Sequence, residues 1–345
     1  MAPSSQEAGA WFAAMTGCED AVMRALTRSG LGSGLRLGLR VAAGVGAAGL
    51  GVLGWASLIE RNAFVIRRFE VPVLPVGAEP LRVLHVSDLH LLPRQRKKSA
   101  WIKSLASLDP DLVVNTGDNL AAADAVPAVL DTFEHLLARP GVFVLGSNDY
   151  FGPTLKSPLL YITRPRAQTG SPSRRLPTAD LVRGLGAQGW VDLTNRRATL
   201  TVRGQRIDVV GVDDPHLHYD RLDLVRAPAS AGAALTIGVT HAPYQRVLDA
   251  YAADGCALII AGHTHGGQVC VPGWGALVTN CDLDTGRAKG LSRWWPGAGS
   301  TPSSSAPPDA AWLEVSAGLG TSPTAPVRLA CRPEATLLTL VARHP

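Results

Sequence analysis

An α/β protein with an N-terminal apolar helix is the fold class this sequence predicts, and three observations predict it. Short apolar runs alternate with amphipathic stretches from Leu81 onward. Nineteen residues without a charge, Val41 to Ile59, precede that region. Polar residues of metal-binding type close the apolar runs one after another. The 345 residues suffice for a large core, and 46% hydrophobic with 18% charged residues is the balance of a folded chain. A net charge of +5 suits an anionic substrate or a membrane surface. It is too diffuse for nucleic acid, and no such partner is expected.

Residues 1–40 form a polar, basic segment carrying Arg24, Arg28, Arg36 and Arg40. Residues 41–60 are read as a transmembrane or membrane-anchoring helix, just long enough to cross the hydrocarbon of a bilayer. A signal-peptide core and a buried hydrophobic helix are the alternatives. A single-pass cell-membrane location is expected, but Arg61, Arg67 and Arg68 blur the charge asymmetry and leave the side open. Residues 61–345 make up the remaining domain.

In that domain Arg82–Ser87, Leu112–Thr116 and Val142–Leu145 read as strands, with Ser99–Leu108 and Ala122–Ala138 helical between them. The alternation points to βαβ units on a largely parallel sheet. Residues 164–178 have the composition of a mobile loop, as do residues 296–309. Ala198–Val212 reads as a hairpin turning at Gly204-Gln205. Leu235–Thr240 and Ala257–Ala261 flank a helix at Tyr244–Ala252, and Trp312–Val315 and Ala335–Val341 are the last strands. Cys18, Cys256, Cys270, Cys281 and Cys331 show no CxxC spacing. A Cys270–Cys281 pair is conceivable, and buried thiols are the preferred reading.

The chemistry gathers at the carboxyl ends of the apolar runs. The first ends in Ser87-Asp88-Leu89-His90, the second in Gly117-Asp118-Asn119 and the third in Gly146-Ser147-Asn148-Asp149. Leu235–Thr240 runs into His241, and Ala257–Ala261 into Gly262-His263-Thr264-His265-Gly266-Gly267-Gln268. Asp118 lies 30 residues after Asp88, and Asn148 lies 30 after Asp118, the spacing of strand-plus-helix units. Ligands of open α/β sheets gather at this edge. Each piece alone is common. In this order at strand ends they form a specific set.

That ordered set resembles the calcineurin-like metallophosphoesterase superfamily over roughly Leu81 to Val341. The apolar N-terminal segment and compact size make it similar to the membrane-associated bacterial branch. The resemblance implies a four-layer αββα sandwich, two facing mixed β-sheets flanked by helices, with two divalent metal ions at the strand ends. Carried over by position, Asp88, His90 and His265 would hold one ion. Asn148, His241 and His263 would hold the other, and Asp118 would bridge them. Two ions roughly 3.5–4 Å apart share the charge of an attacked phosphate. Histidine, carboxylate and amide donors without cysteine favour Mn, Fe or Zn.

The implied activity is metal-dependent hydrolysis of a phosphodiester, phosphomonoester or pyrophosphate bond by metal-bound hydroxide, on a membrane-lipid or nucleotide-linked substrate. A catalytically silent metal-binding scaffold or regulatory protein at the membrane is the alternative. Many family members place a histidine after the asparagine, where this chain has Asp149. Asp149 is therefore a candidate general acid, and equally a candidate hydrogen-bond partner for a ligand histidine. Gly211 to His216 either lines the cleft or forms a plain turn. Arg94 to Lys98 either meets phosphate or headgroups or forms a solvated loop. Trp294-Trp295 is either an interfacial anchor or part of a packed loop.

Overall fold

The apolar runs are strands covered on both faces, and this fixes the layering. The computed structural model describes residues 33–153 and 174–343. They part into two units between Ile59 and Glu60. The first unit contains α1 (Ser33–Gly54), which continues through a π-helical turn at Trp55–Ile59. Within the helical run Leu37–Asn62 an 18-residue window has a mean hydropathy of 1.6 and is 6% buried, so the run is long and apolar enough to cross a membrane.

In the second unit the first strands are β1 (Val65–Leu74), β2 (Leu81–Val86), β3 (Leu112–Asn115), β4 (Gly141–Phe143) and β5 (Val191–Asp192). There follow β6 (Arg196–Val202), β7 (Gln205–Gly211), β8 (Leu235–Thr240) and β9 (Leu258–Ala261). The last are β10 (Cys270–Val271), β11 (Gly275–Ala276), β12 (Gly290–Trp294), β13 (Ala311–Val315) and β14 (Glu334–Ala342). The helices between them are α2 (Arg96–Ser104), α3 (Val126–Leu137), α4 (Ser147–Tyr150), α5 (Thr178–Ala187), α6 (Leu222–Val225) and α7 (Gln245–Ala253).

Two six-stranded sheets result, ordered β1-β14-β2-β3-β4-β5 and β12-β13-β9-β8-β7-β6. Each is mixed: β2, β3, β4 and β5 run parallel, as do β7, β8, β9 and β13. β14 is antiparallel to β2, β12 to β13 and β6 to β7. Val83, Val114 and Val142 of the first sheet share a core with Val209, Ile237 and Ile260 of the second. Val129 and Phe133 of α3 and Leu181 of α5 cover the outer face of the first. Val247, Leu248 and Tyr251 of α7 cover the outer face of the second. The architecture is the four-layer αββα sandwich.

The strand-and-helix pattern alone gives one largely parallel sheet, and here the structure corrects it. Strands β2 to β5 enter one sheet and β7 to β9 the other, so a single βαβ series is divided across the central core. β1 also precedes Leu81, the start that the alternation gives. Its outward Arg67, Arg68 and Glu70 interrupt the apolar pattern of an edge strand. The hairpin turns at Arg203-Gly204, one residue before the expected pair. Both have positive φ, 48° and 76°, the type I′ geometry that two-residue hairpins favour. Residues 164–178 fall largely outside the described residues, and α5 begins at Thr178.

The basic run Arg94 to Lys98 divides in two. Arg94, Arg96 and Lys97 are exposed, whereas Lys98 is buried and donates to the Leu89 carbonyl at 2.6 Å. Burial, with the neighbouring Arg328 and Arg61 charges, pushes the Lys98 ammonium down to about 7. Between pH 7 and the ordinary lysine range the unfolded chain holds a proton that the folded chain has shed, so this residue makes stability rise with pH. Denaturant unfolding of wild type and Lys98→Met should therefore show the wild type gaining on the variant by roughly 2 kcal/mol from pH 7 to 9. Parallel curves would remove the buried ammonium from the account.

Candidate metal centre

Three of the five chemistry-bearing strand ends, those of β2, β3 and β9, leave their sheets through left-handed turns. Asp88 (φ 51°), His90 (40°), Asp118 (55°), His263 (70°) and His265 (50°) all have positive φ. For residues with a Cβ this costs about 1 kcal/mol or more each, and such positions cluster where function requires them. Cross-strand backbone bonds hold the turns in place. The amides of Asp88 and His90 donate to the carbonyls of Gly117 and Asp118 at 2.9 Å, and that of Gly262 donates to His241 at 2.9 Å.

Together with the ends of β4 and β8, these turns bring together all seven residues singled out as metal ligands in the sequence. His90 and His265 approach Nε2 to Nε2 at 3.2 Å, and His265 Nε2 lies 3.6 Å from Asp88 Oδ1. His263 Nδ1 lies 3.3 Å from His241 Nε2. Asp118 stands between the pairs, with Oδ2 3.4 Å from His90 Nε2 and Oδ1 3.6 Å from His241 Nε2. Asn148 donates to it through its backbone amide at 2.7 Å and its side-chain amide at 2.8 Å. Asp88, His90 and His265 form one group able to hold a metal ion, and Asp88, Asp118 and His241 form another.

The donors fit a divalent cation. Asp88 Oδ1 is buried and has no hydrogen-bond partner. Paired ring nitrogens near 3.2 Å need a proton or a cation between them. Two glycines keep the space open. A Cβ on Gly262 would meet Asp88 Oδ2 at 2.6 Å, and one on Gly146 would meet His241 Cε1 at 2.6 Å.

Burial dominates the electrostatics. It pushes His90 down and His263 and His265 well below the usual imidazole range, so these rings are neutral and ready to donate lone pairs. Burial lowers His241 too, but the Asp118, Asp214 and Asp88 carboxylates outweigh it and hold the ring at about 9. Burial raises Asp88. It opposes ionisation of Asp118 as well, yet His241, His90 and the Asn148 hydrogen bonds keep that carboxyl well below the ordinary range.

A second layer fixes the first. The Thr116 carbonyl accepts from His241 Nδ1 at 2.7 Å, which turns Nε2 toward the cluster. Asp88 accepts from the Ser87 hydroxyl, Thr116 donates to Ser87 at 2.6 Å, and His85 joins Thr116 at 2.8 Å and Glu314 at 2.5 Å. Arg328, fully buried, meets His265 Nδ1 at 3.3 Å and donates to the carbonyls of Ala317 and Gly320. No sequence signal marks His85 or Arg328.

Asp149 also lies in this layer. It is buried, and its oxygens accept backbone N–H groups from Asp118 (2.9 Å), Asn119 (2.8 Å), Leu120 (3.3 Å) and Gly146 (3.1 Å). Burial and the Asp118 charge push it up to about 7. The structure gives it no hydrogen bond to a ligand histidine.

The Gly211–His216 turn does reach the cluster. The His216 ring lies 4.7 Å from that of His263, and the buried Asp214 is raised to about 7 by burial. Trp294 ends β12, is buried and donates to Asp249 at 2.9 Å, and Trp295 packs on the same core, so the aromatic pair is part of the packed body. The four described cysteines are free thiols, with Cys281 half-buried and the other three buried; Cys18 lies outside the described residues.

The family model for calcineurin-like phosphoesterases matches residues 81–267, which carry every one of these ligand positions. The chain belongs to that family. The uncharacterized protein YpbG of Bacillus subtilis (strain 168) is 26% identical over 270 residues, covering 76% of this chain and 82% of that one. A transmembrane protein with metallophosphoesterase domain from Bos taurus is 27% identical over 221 residues, covering 58% of this chain and 44% of its own length. This chain thus spans under half of the bovine relative. The protein TT1561 of Thermus thermophilus is 14% identical over 70% of this chain and 91% of that one, with a TM-score of 0.35. The NAD nucleotidase of Haemophilus influenzae is 12% identical over 70% of this chain and 46% of that one, with a TM-score of 0.40.

Proposed function

We propose that this calcineurin-like phosphoesterase is a membrane-tethered hydrolase that cleaves a phosphate ester or pyrophosphate bond at a two-metal centre. The observation that carries the reading is the convergence of four histidines, two aspartates and Asn148 from five strand ends. Asp88, His90 and His265 hold one cation, and Asn148, His241 and His263 the other. Asp118, placed between the histidine pairs, serves both. Bound there, two divalent ions supply Lewis-acid polarisation of a phosphoryl oxygen and acidify water.

The remaining roles belong to the chain itself. Thr116 and Arg328 orient the His241 and His265 rings. The Asn148 side chain donates its N–H₂ to Asp118, and its carbonyl oxygen is the atom that would bind a cation. Asp149 holds the Asp118 and Gly146 turns from behind and so acts as a positioning residue rather than a proton donor. The tether is the helical run Leu37–Asn62, and the transmembrane description of the bovine relative supports it.

The test pairs metal content with turnover. Full-length protein purified with Mn²⁺ or Zn²⁺ is expected to hold two ions per chain and to hydrolyse bis(4-nitrophenyl) phosphate, with both properties lost on chelation and restored by metal. Two bound ions without hydrolysis of any nucleotide, phosphopeptide or lipid phosphodiester would favour a silent scaffold.

A further inference from the structure

The chain beyond His265 does something the metal centre does not need. Strands β10 and β11 pair as a short antiparallel hairpin, with Cys270 opposite Ala276 and Val271 opposite Gly275. One face is packed: Cys270 and Ala276 are buried in a cluster with Ala288, Ala317 and Cys331. The other face is apolar and open, with Val269, Val271, Trp274 and Leu277 exposed and Trp274 at 81%. Among the described residues from Glu60 onward, four of the seven exposed large hydrophobic side chains lie in these nine positions. No charged residue occurs between Gly266 and Asn280. Scattered apolar residues on a surface mean little, whereas an uncharged cluster topped by a tryptophan marks a contact.

Both stems of the hairpin are rooted in the metal centre. One leaves directly from His265 through Gly266-Gly267-Gln268. The other returns past His263, whose Nε2 meets the Asn280 carbonyl at 3.2 Å. From Gln268 to Trp274 is at most about 20 Å of extended chain.

The neighbouring segment indicates what covers the open face. Ala325 to Cys331 runs beside the hairpin base: Val269 bridges Leu329, the Cys270 amide donates to Leu329 at 2.8 Å, and Gln268 donates to Ala325 at 2.9 Å. The same segment receives the chain as it leaves the apolar run Leu37–Asn62. The Glu60 carboxylate accepts the Cys331 amide at 2.7 Å, and Arg332 donates to the Ala63 carbonyl at 2.7 Å. Where the apolar run is seated in a bilayer, its exit is at the lipid surface, and the hairpin rises from the segment that receives that exit. An uncharged tip with an amphipathic ring is the chemistry of the headgroup boundary.

We propose that the Val269–Leu277 hairpin is a second membrane contact, inserting its tip into the headgroup–acyl boundary and presenting the metal centre to phosphate esters held at that surface. The proposal rests on the tethered-phosphoesterase reading above, and its primary test reads docking without activity.

Full-length wild type and Trp274→Phe are reconstituted into phosphatidylcholine vesicles brominated on the acyl chains. Trp274 is solvent-facing, so its replacement leaves the fold intact, and Trp55 contributes equally to both proteins. The emission present in wild type and missing from the variant is expected to be quenched by bromolipid and protected from aqueous iodide. Quenching of that share by iodide alone would put the tip in water. Quenching by neither would put it under protein, a second copy included. Either result overturns the proposal.

A second arm uses Val271→Asp/Trp274→Asp. Hydrolysis of hexadecyl 4-nitrophenyl phosphate dispersed in the same vesicles should fall roughly tenfold or more while that of soluble bis(4-nitrophenyl) phosphate is unchanged. Equal effects on the two substrates would overturn surface presentation. If wild type hydrolyses neither, the phosphoesterase reading fails and the quenching result still decides docking.

Discussion

Asp118→Ala is expected to abolish hydrolysis, lowering kcat by at least about 10³-fold, and to reduce the metal content from two ions to one or none. The Asp118 carboxylate reaches both histidine pairs, Oδ2 lying 3.4 Å from His90 Nε2 and Oδ1 3.6 Å from His241 Nε2. Its loss removes negative charge from between the sites and strips Asn148 of the acceptor for both its donors. The fold should survive, because the turn at Asp118 is held by backbone bonds to β2 rather than by its carboxylate. Thermal unfolding of the chelated proteins checks that. Undiminished turnover in a folded variant would remove Asp118 from the centre.

Asp149→Ala is expected to act through stability. It would leave buried amides of Asp118, Asn119, Leu120 and Gly146 without their acceptor. Orphaning such a set costs on the order of 3–5 kcal/mol, a drop of roughly 10 °C in Tm for a domain of this size. Two metal-bearing turns, at Asp118 and Asn148, loosen together, so metal affinity should fall with it. Asp149→Asn separates positioning from proton donation. It keeps the shape but turns an N–H₂ toward backbone N–H groups, and should lose both Tm and metal. A donor role predicts the opposite: unchanged Tm and metal content, reduced kcat, and a changed alkaline limb in the pH–rate profile.

The contrast between these two aspartates shows what a sequence carries. Asp118 is legible because metal chemistry restricts residue type, and strand ends bring such residues to one edge whatever lies between them. The function of Asp149 depends on where four backbone N–H groups point, and amides leave no mark in a sequence. Arg328 and His85 are hidden for a related reason: each is one residue of common type made important by total burial. His216 sits in a turn whose composition fits a cleft wall and an ordinary bend equally well. In the fold, the fully buried strands β3, β8 and β9, and β2 with only Arg82 half-buried, announce themselves as apolar runs. The half-exposed edge strands β1 and β12 do not, and the division into two sheets follows from packing that no local window contains.

The pairing of β1 with β14 has a consequence for how the protein is made. Val65 to Leu74 lie alongside Glu334 to Ala342 in parallel register, and among the described residues β14 is the only strand that pairs with β1. Val65 pairs with Glu334, far along the chain, so a ribosome releases the partner of β1 long after β1 itself, and β1 waits unpaired over that stretch of elongation. Chains arrested before Glu334 would lack the strand that joins β1 to β2. Closure of the first sheet at β1 waits for β14.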